Sequence, residues 1–573
     1  MRNVSTRLLS TLLFALAAAG LAGCDADGSG GPSDSGVEED AGADAGADSG
    51  PDPATFDDVE VTWFPCSLHE GADDGLAECA STPMPLFWDA DDGRTFTVYA
   101  KRLLAPGESD GQLWLLHGGP GASGVIDFPP WMEQLVLDHP TLDVYTLDPR
   151  GTGYSEFAGC PDQEDEASAG GAEITPGEAP ACAAYLEETL GDRLSVVGTT
   201  PAAMDLAAYV HHTREDGKRV LIWGGSGGTF WANRYLLMFP GGADGVVLEG
   251  IEPADGSIAF QDEYADRIGR EILTQCADDA VCGEKLPEPV AALTDLYAAL
   301  DGGHCPIGID SALLALLVDY LEYYHPLHAL IPSLVYRLTR CDDGDVAAIV
   351  QLFEVLFPQE TGEALPSMST VLFYNEMCSE IWDHASFADD AALVAYLDSV
   401  YADSIVPTGK GYDRNEICQA WPVYADARDD LFAETGVPLL MLEGVLDPAT
   451  PHDFAVALAD RFDGPSQTFV SMPRTAHNVL GGSPTADGDC GLSLFDAFIE
   501  DPEASLDTSC AEDVLPIDFT TACGLAATLY GTADCFENEP AETAAGASPP
   551  LDPRVELALR KAARAIAAAL HRP

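Results

Sequence analysis

Short apolar runs alternate with longer amphipathic segments along most of the chain after about residue 57. The runs are three to five residues long and lie at Leu113–Leu116, Val144–Leu147, Val220–Trp223, Val246–Leu248, Pro438–Leu442 and Thr468–Val470. Most of them are followed by a turn-rich segment, and helical patterns separate several of them. This alternation predicts an α/β fold built on a mainly parallel central sheet.

The spacing of apolar residues changes between about residues 257 and 430. From Leu313 to Leu321, and again from Val346 to Phe353, apolar side chains recur at intervals of three and four residues, which is typical of helices. We therefore expect a helical cap at 257–430, inserted between two parts of the core at 57–256 and 431–536.

The N-terminus carries the pattern of an export signal. Arg2 and Arg7 precede the largely apolar stretch Leu8–Leu21, which ends in Leu-Ala-Gly-Cys at residues 21–24. This sequence looks like a bacterial lipobox, so residues 1–23 are predicted to be a lipoprotein signal peptide, cleaved before Cys24, whose thiol is then acylated. A signal peptide cleaved nearby without lipidation, or a retained membrane anchor, stays open.

Two segments near the ends of the chain are predicted to lie outside the globular fold. Residues 24–56 are acidic and almost without large apolar side chains, so they are predicted to be a disordered tether. Residues 537–573 read as a linker, rich in Pro, Ala and Glu, followed by a basic helix from Pro553 to Leu570.

Charge and hydropathy exclude two classes of protein. The 573 residues include 26 Lys and Arg against 96 Asp and Glu, a formal charge of −70 that would repel nucleic acid. The mean hydropathy of +0.02 does not fit a multi-span membrane protein. The composition does not indicate an oligomeric state.

The cysteines fit an exported protein. With Cys24 set aside from the 15 cysteines, an even number is left for disulfides in an oxidising compartment. Neighbours in the sequence suggest the pairs Cys66–Cys79, Cys160–Cys182 and Cys276–Cys282. Because the chain has no C-x-x-C pair, the sequence predicts no metal site, and it predicts no cofactor.

The strongest chemical signal is a G-x-S-x-G motif. Gly224-Gly-Ser226-Gly227-Gly228 follows the apolar run Val220–Trp223 and precedes a helix-like segment. A nucleophilic serine on a strained turn between strand and helix requires small neighbours, because larger side chains would clash. Ser226 is the predicted nucleophile.

A second glycine cluster follows the run Leu113–Leu116. In His117-Gly-Gly-Pro-Gly121, the N–H of Gly119 is expected to stabilise an oxyanion together with the N–H of Gly227. Residues 119–124 also match the dinucleotide fingerprint G-x-G-x-x-G, with Asp143 at about the right distance. That alternative leaves Ser226 without a role, so we favour the hydrolase interpretation.

The other two members of a catalytic triad are expected after the cap. Asp447 follows the run Pro438–Leu442, and His477 lies in the loop after the next run. His477 would act as the base for Ser226, and Asp447 would orient the imidazole. His452 and Asp453 are weaker alternatives, because they belong to the start of a helix.

Together these motifs identify a family. HGGPG at 117–121, DPRGTGYS at 148–155, GGSGG at 224–228, Asp447 and His477 resemble the prolyl iminopeptidase and tripeptidyl aminopeptidase group of α/β-hydrolases. The resemblance extends from about residue 60 to 535. It implies the α/β-hydrolase fold and a serine exopeptidase that acts on peptides with a free N-terminus.

The same resemblance implies further assignments. Family members bind the substrate ammonium with cap carboxylates, and Glu376 and Glu380 are the candidates in this chain. A disulfide Cys378–Cys418 is also implied. The chain has Ala476 where the family usually has Gly, a small change. Specificity for proline does not follow, and an esterase or amidase with the same triad is the alternative, since the cap sets specificity.

Overall fold

The computed structural model describes residues 54–69, 74–165, 167–356, 367–382, 387–424, 426–520 and 525–541. The predicted signal peptide with Cys24, most of the tether and the basic C-terminal helix lie outside these ranges. Within the described ranges, no helix combines the length and apolar character needed to cross a membrane.

Nine strands form one sheet. They are β1 (Trp63–Cys66), β2 (Ala77–Pro85), β3 (Thr95–Leu103), β4 (Gly111–Leu116), β5 (Leu142–Asp148), β6 (Arg219–Gly225), β7 (Gly245–Glu249), β8 (Leu439–Gly444) and β9 (Gln467–Met472). Their order in space is β1-β2-β3-β5-β4-β6-β7-β8-β9. The pairs among β1, β2, β3 and β5 are antiparallel, and the other five pairs are parallel. The prediction of a mainly parallel α/β sheet is confirmed.

The helices divide into two groups. Those of the sheet part are α1 (Gly124–Asp127), α2 (Pro129–Asp138), α3 (Ala179–Thr189), α4 (Thr199–Thr213), α5 (Gly227–Met238), α15 (His452–Ala459) and α16 (Cys490–Glu500), whereas α17 (Ala526–Leu529) follows the last strand and packs with the cap. Between β7 and β8 lie the cap helices: α6 (Gln261–Asp278), α7 (Cys282–Lys285), α8 (Pro289–Asp301), α9 (Ser311–Glu322), α10 (Leu330–Arg340), α11 (Asp343–Leu356), α12 (Thr370–Glu376), α13 (Asp390–Asp403) and α14 (Lys410–Ala420). A short hairpin of β10 (Pro484–Thr485) and β11 (Gly488–Asp489) precedes α16.

The central strands are buried on both faces, which explains their continuous apolar runs. In β4, Leu113 and Leu115 join the core formed with α2 and α16, whereas Trp114 and Leu116 join the core formed with α4 and α5. Successive side chains of a strand point to opposite faces, so one short run contributes to two cores.

Helices α6 to α11 of the cap have a core of their own, which includes the C-terminal segment, whereas α12, α13 and α14 pack with residues of the sheet part such as Phe96 and Phe230. Leu317 and Leu334 pack in the same buried cluster as Leu529. Glu537 then forms ion pairs with Lys285 and Arg340. The docked segment therefore extends past residue 536, where the sequence pattern placed the start of the linker.

Disulfides fasten both parts of the chain. The described pairs are Cys66–Cys79, Cys160–Cys182, Cys276–Cys282, Cys305–Cys341, Cys378–Cys418 and Cys490–Cys510, and Cys535 is bonded as well. The four pairs expected from the sequence and the family resemblance are confirmed. So many disulfides indicate a protein that folds in an oxidising compartment outside the cytoplasm.

Candidate active site

Ser226 occupies the turn between β6 and α5. Its φ of 56° lies in the left-handed region, and its N–H donates to the Glu249 carbonyl at 2.8 Å. The loop after β4 lies directly against this turn: a Cβ on Gly118 would be 2.7 Å from the Cβ of Ser226. Because no side chain fits at that distance, glycine is required there for the loop to approach the serine.

Two backbone N–H groups lie beside Ser226. A Cβ on Gly227 would be 3.5 Å from the nitrogen of Gly119, so these residues are neighbours. Neither N–H donates a hydrogen bond to any group in the part of the chain that the structure describes. Two free donors next to a serine oxygen are what an oxyanion needs.

Asp447 and His477 form a hydrogen-bonded pair beyond the ends of β8 and β9. His477 Nδ1 lies 2.7 Å from Asp447 Oδ2. The other carboxylate oxygen of Asp447 accepts from the N–H groups of Ala449 at 2.7 Å and Thr450 at 2.9 Å. This network assigns the proton to Nδ1 and leaves Nε2 as an acceptor, the arrangement a general base requires.

The strand ends bring His477 next to the serine turn. Gly250 follows Glu249, the acceptor for the Ser226 N–H, and a Cβ on Gly250 would lie 2.9 Å from His477 Nδ1. No hydrogen bond joins Ser226 to His477 among the described contacts. In structures without substrate such bonds are often long and tighten when substrate binds.

The alternative acid and base candidates have other partners. His452 Nε2 lies 2.7 Å from the Ser471 hydroxyl, and Asp453 forms an ion pair with Arg267 at 3.0 Å. Neither contacts Ser226 or His477. Among the described residues, no cluster of three or more His, Cys, Asp or Glu side chains is arranged to hold a metal ion.

The two cap carboxylates have different surroundings. Glu376 lines a small cavity beside the serine turn, together with His117, Pro120, Gly121, Pro149, Ala202, Gly227, Trp231 and Leu372. Glu380 is not among the lining residues; it accepts from the Thr199 N–H at 3.1 Å and pairs with Arg234 at 3.4 Å. Burial raises the pKa of both carboxyls, that of Glu380 to about 7. Only Glu376 faces the cavity of the site.

The start of α12 is attached to the loop after β4, which places Glu376 relative to Gly227. The Ser369 N–H donates to the Gly121 carbonyl at 2.8 Å, and the Ser123 N–H donates to the Ser367 carbonyl at 2.7 Å. A Cβ on Gly121 would be 2.5 Å from the Ser369 carbonyl oxygen, so only glycine permits this approach.

Asp148 is a buried residue whose structural role the sequence analysis missed. Its carboxylate accepts from the Ser123 hydroxyl at 2.7 Å, the Val125 N–H at 3.1 Å and the Tyr154 N–H at 2.9 Å. It thereby holds the loop that carries Gly119, and burial raises its pKa to about 6. The sequence signal for this role was the position of Asp148 at the start of the motif at residues 148–155.

Glu249 was also missed. At the end of β7, it accepts from the N–H groups of Val479 and Leu480, each at 2.7 Å, and from the Trp223 indole at 3.1 Å. These bonds fix the turn directly after His477. A carboxylate at the carboxyl end of a buried apolar strand was the sequence signal for it.

Comparisons with known proteins agree with this architecture. A family model described as the alpha/beta hydrolase fold matches residues 113–266, and one described as TAP-like protein matches residues 406–510. The chain is 22% identical to the serine protease Hip1 of Mycobacterium tuberculosis strain H37Rv, over 73% of this chain and 85% of that protein. It is 23% identical to the tripeptidyl aminopeptidase of Streptomyces lividans, over 70% of this chain and 78% of that protein.

Solved structures resemble the chain more distantly. A proline iminopeptidase-related protein from Thermus thermophilus is 14% identical, with a TM-score of 0.29 over 78% of this chain and 96% of that one. An esterase from Exiguobacterium antarcticum is 13% identical, with a TM-score of 0.29 over 72% and 97%.

Proposed function

The chain is an α/β-hydrolase of the peptidase-like serine hydrolases, and on this premise we propose that it is an aminopeptidase that cleaves peptides near a free N-terminus. The observation that carries the proposal is the position of Glu376, in the same cavity as Gly227 and beside Ser226. A carboxylate at that place offers a charge-assisted hydrogen bond to an α-ammonium group. The names of the two curated relatives support a peptide substrate.

The proposed reaction passes through an acyl-enzyme. His477 Nε2 takes the proton of the Ser226 hydroxyl as its oxygen attacks the carbonyl carbon, and the N–H groups of Gly119 and Gly227 stabilise the oxyanion. His477 then gives the proton to the leaving amine as the amide bond breaks. A water molecule that gives a proton to His477 then attacks the ester, and His477 returns that proton to the Ser226 oxygen as the N-terminal fragment leaves. Asp447 stabilises the imidazolium in both halves.

A fluorophosphonate probe tests the assignment of the nucleophile. We expect peptide mapping of the labelled protein to find the probe on Ser226, and the Ser226→Ala variant to lose both labelling and peptide hydrolysis. Ser195→Ala is the matched control, because the exposed Ser195 bonds only to the Asp192 carbonyl. Label on another residue, or hydrolysis by Ser226→Ala, contradicts the proposal.

An esterase or amidase is the second candidate, and one contact favours it. Glu380 is already bonded to Arg234 and Thr199, so a single cap carboxylate is left for an ammonium ion. Such an enzyme would hydrolyse short-chain esters and N-acylated amides at least as fast as free-amine peptides. A panel of these substrates separates the two candidates.

We also propose that the protein is attached to the cell envelope through a lipid on Cys24, on its periplasmic or cell-surface face. The lipobox and the disulfides support export. Mass spectrometry of the protein from membranes is expected to find diacylglycerol on Cys24 and residues 1–23 removed. Cys24→Ser is expected to be recovered in the soluble fraction, and an unmodified Cys24 overturns the proposal.

A further inference from the structure

Arg414 is unusual among the arginines of this acidic protein. Each other described arginine forms an ion pair, except Arg474, which donates to the backbone carbonyls of Glu512 and Val514. Arg414, on α14, pairs with no carboxylate in the described part of the chain. Its guanidinium donates to Gln261 Oε1 at 2.6 Å.

The contacts of Arg414 place it at the rim of the proposed active site. Gln261, its hydrogen-bond partner, also donates to the Ala449 carbonyl at 2.8 Å, in the turn that follows Asp447. The Arg414 guanidinium lies 5.8 Å from the ring of Phe373, one helical turn before Glu376 on α12. Arg414 is half-buried, so part of the side chain stays open to solvent.

The position of Tyr323 indicates the side of the site to which Arg414 belongs. The rings of Tyr323 and His477 meet edge to face at 5.6 Å. Burial raises the pKa of Tyr323, and the charges of Lys410, Asp319 and Arg414 all act on its hydroxyl. Lys410, one turn before Arg414, forms an ion pair with Asp319, so this neighbouring carboxylate is already bonded to another cation.

Two side chains of opposite charge thus lie near the proposed catalytic residues. Glu376 lines the cavity with Gly227, and Arg414 is linked through Gln261 to the turn after Asp447, the residue that orients His477, which protonates the leaving amine. An anionic leaving group would otherwise approach a protein of net charge −70. A guanidinium without a carboxylate partner supplies a local site for it.

We propose that Arg414 binds a carboxylate on the leaving-group side of the scissile bond, so that the preferred substrates are short peptides with an ammonium at one end and a carboxylate at the other. This inference rests on the proposed aminopeptidase function. The carboxylate belongs either to the C-terminus of the substrate or to an acidic side chain just after the scissile bond, and both sources present the same group to Arg414.

The test compares kcat/KM for matched peptides. One pair of short peptides differs only in a free or an amidated C-terminus; the other pair is amidated and carries Glu or Gln after the scissile bond. We expect a preference of roughly 10- to 100-fold for the acid in at least one pair, as for other hydrogen bonds between charged groups. The pair that shows it identifies the source of the carboxylate.

Substitutions then test whether Arg414 causes the preference for the acid. Arg414→Met should bring the ratio of acid to amide close to one, and Arg414→Lys should retain part of it. Arg214→Met is the matched control, since it removes the same charge near Asp244, directly before β7 and at the opposite end of the parallel strands from the site, and should keep the wild-type ratio. Each ratio is measured on one preparation, so a partial loss of folded enzyme does not change it.

The contradicting outcomes are distinct from those of the proposed function. If the wild-type enzyme cleaves all four peptides equally well, or if Arg414→Met keeps the preference, the inference about Arg414 is wrong while the aminopeptidase proposal stands. If none of the peptides is cleaved and short-chain esters are, the aminopeptidase proposal itself is wrong.

Discussion

Replacing Glu376 with Gln tests the electrostatic basis of the proposed N-terminal recognition. The amide has nearly the same size as the carboxylate, so the cavity beside Ser226 keeps its shape and only the charge is lost. The pKa of Glu376 is raised by burial and by the nearby Glu380 charge, so substrate with its ammonium group is expected to favour the ionised form.

The magnitude follows from the hydrogen bond that is lost. A hydrogen bond to a charged group contributes about 1.5–3 kcal/mol, which corresponds to a factor of roughly 10 to 150 in affinity. We expect Glu376→Gln to lower kcat/KM by this factor for a peptide amide with a free N-terminus, mainly through KM. Short-chain esters without an ammonium group should be affected much less.

Glu380→Gln is the matched control on the same segment. Arg234 keeps its ion pair with Asp429 at 2.9 Å, so the variant is expected to fold. Since the Glu380 charge raises the pKa of Glu376, its removal lowers that pKa and extends the preference for free-amine substrates to lower pH. Steady-state kinetics of both variants on both substrates between pH 5 and 8 provide the test. If Glu376→Gln affects peptide and ester equally, or if only Glu380→Gln is selective, Glu376 is not the ammonium ligand.

Three further predictions concern the acid–base pair, stability at high pH and the cap. Asp447→Asn should lower kcat about 10⁴-fold, because the amide favours the wrong tautomer of His477; stopped-flow or steady-state assays that find less than a tenfold loss contradict its role. Burial raises the pKa of Glu252 to about 8, so the folded state holds a proton that the unfolded chain releases above about pH 4.5. The free energy of unfolding should therefore fall as the pH rises from 5 to 8, and Glu252 contributes at most about 5 kcal/mol to that fall. Urea titrations should show a smaller fall with pH for Glu252→Gln than for the wild type. If both proteins lose stability equally with pH, Glu252 is not the cause. The Cys378–Cys418 bridge spans 40 residues, so Cys378→Ser should cost about 4 kcal/mol of stability. This loss is measured as a lower midpoint of thermal unfolding than that of the oxidised wild type, and an unchanged midpoint contradicts it.

Local patterns were sufficient to predict six of the nine strands and the main chemical motifs. Five of the six were found because both faces of the strand are buried, which makes them short continuous apolar runs, whereas β9, at the edge of the sheet, is only partly buried. Ser226 could be singled out because the turn at the serine needs small residues on both sides, and the sequence has glycine at all four neighbouring positions, 224, 225, 227 and 228. Four disulfides were anticipated, three from closeness in the sequence.

Long-range pairings could not be read from the sequence. The bonds of Glu249 to Val479 and Leu480 join residues more than two hundred positions apart, and nothing in either segment indicates the other. The same holds for Arg234, whose contact with Glu380 changes how the two cap carboxylates are interpreted. Three-dimensional placement was needed to separate Glu376, in the cavity, from Glu380, which does not line it.

We expect the enzyme to require a free N-terminus on its substrate, and cleavage of one oligopeptide in two forms measures this requirement. A single oligopeptide is prepared with a free and with an acetylated N-terminus, and the products of the wild-type enzyme are followed by mass spectrometry. We expect release of N-terminal fragments from the free peptide, at a rate at least about tenfold higher than any cleavage of the acetylated one. Equal cleavage of both peptides, or internal cleavage of the acetylated peptide, would contradict it.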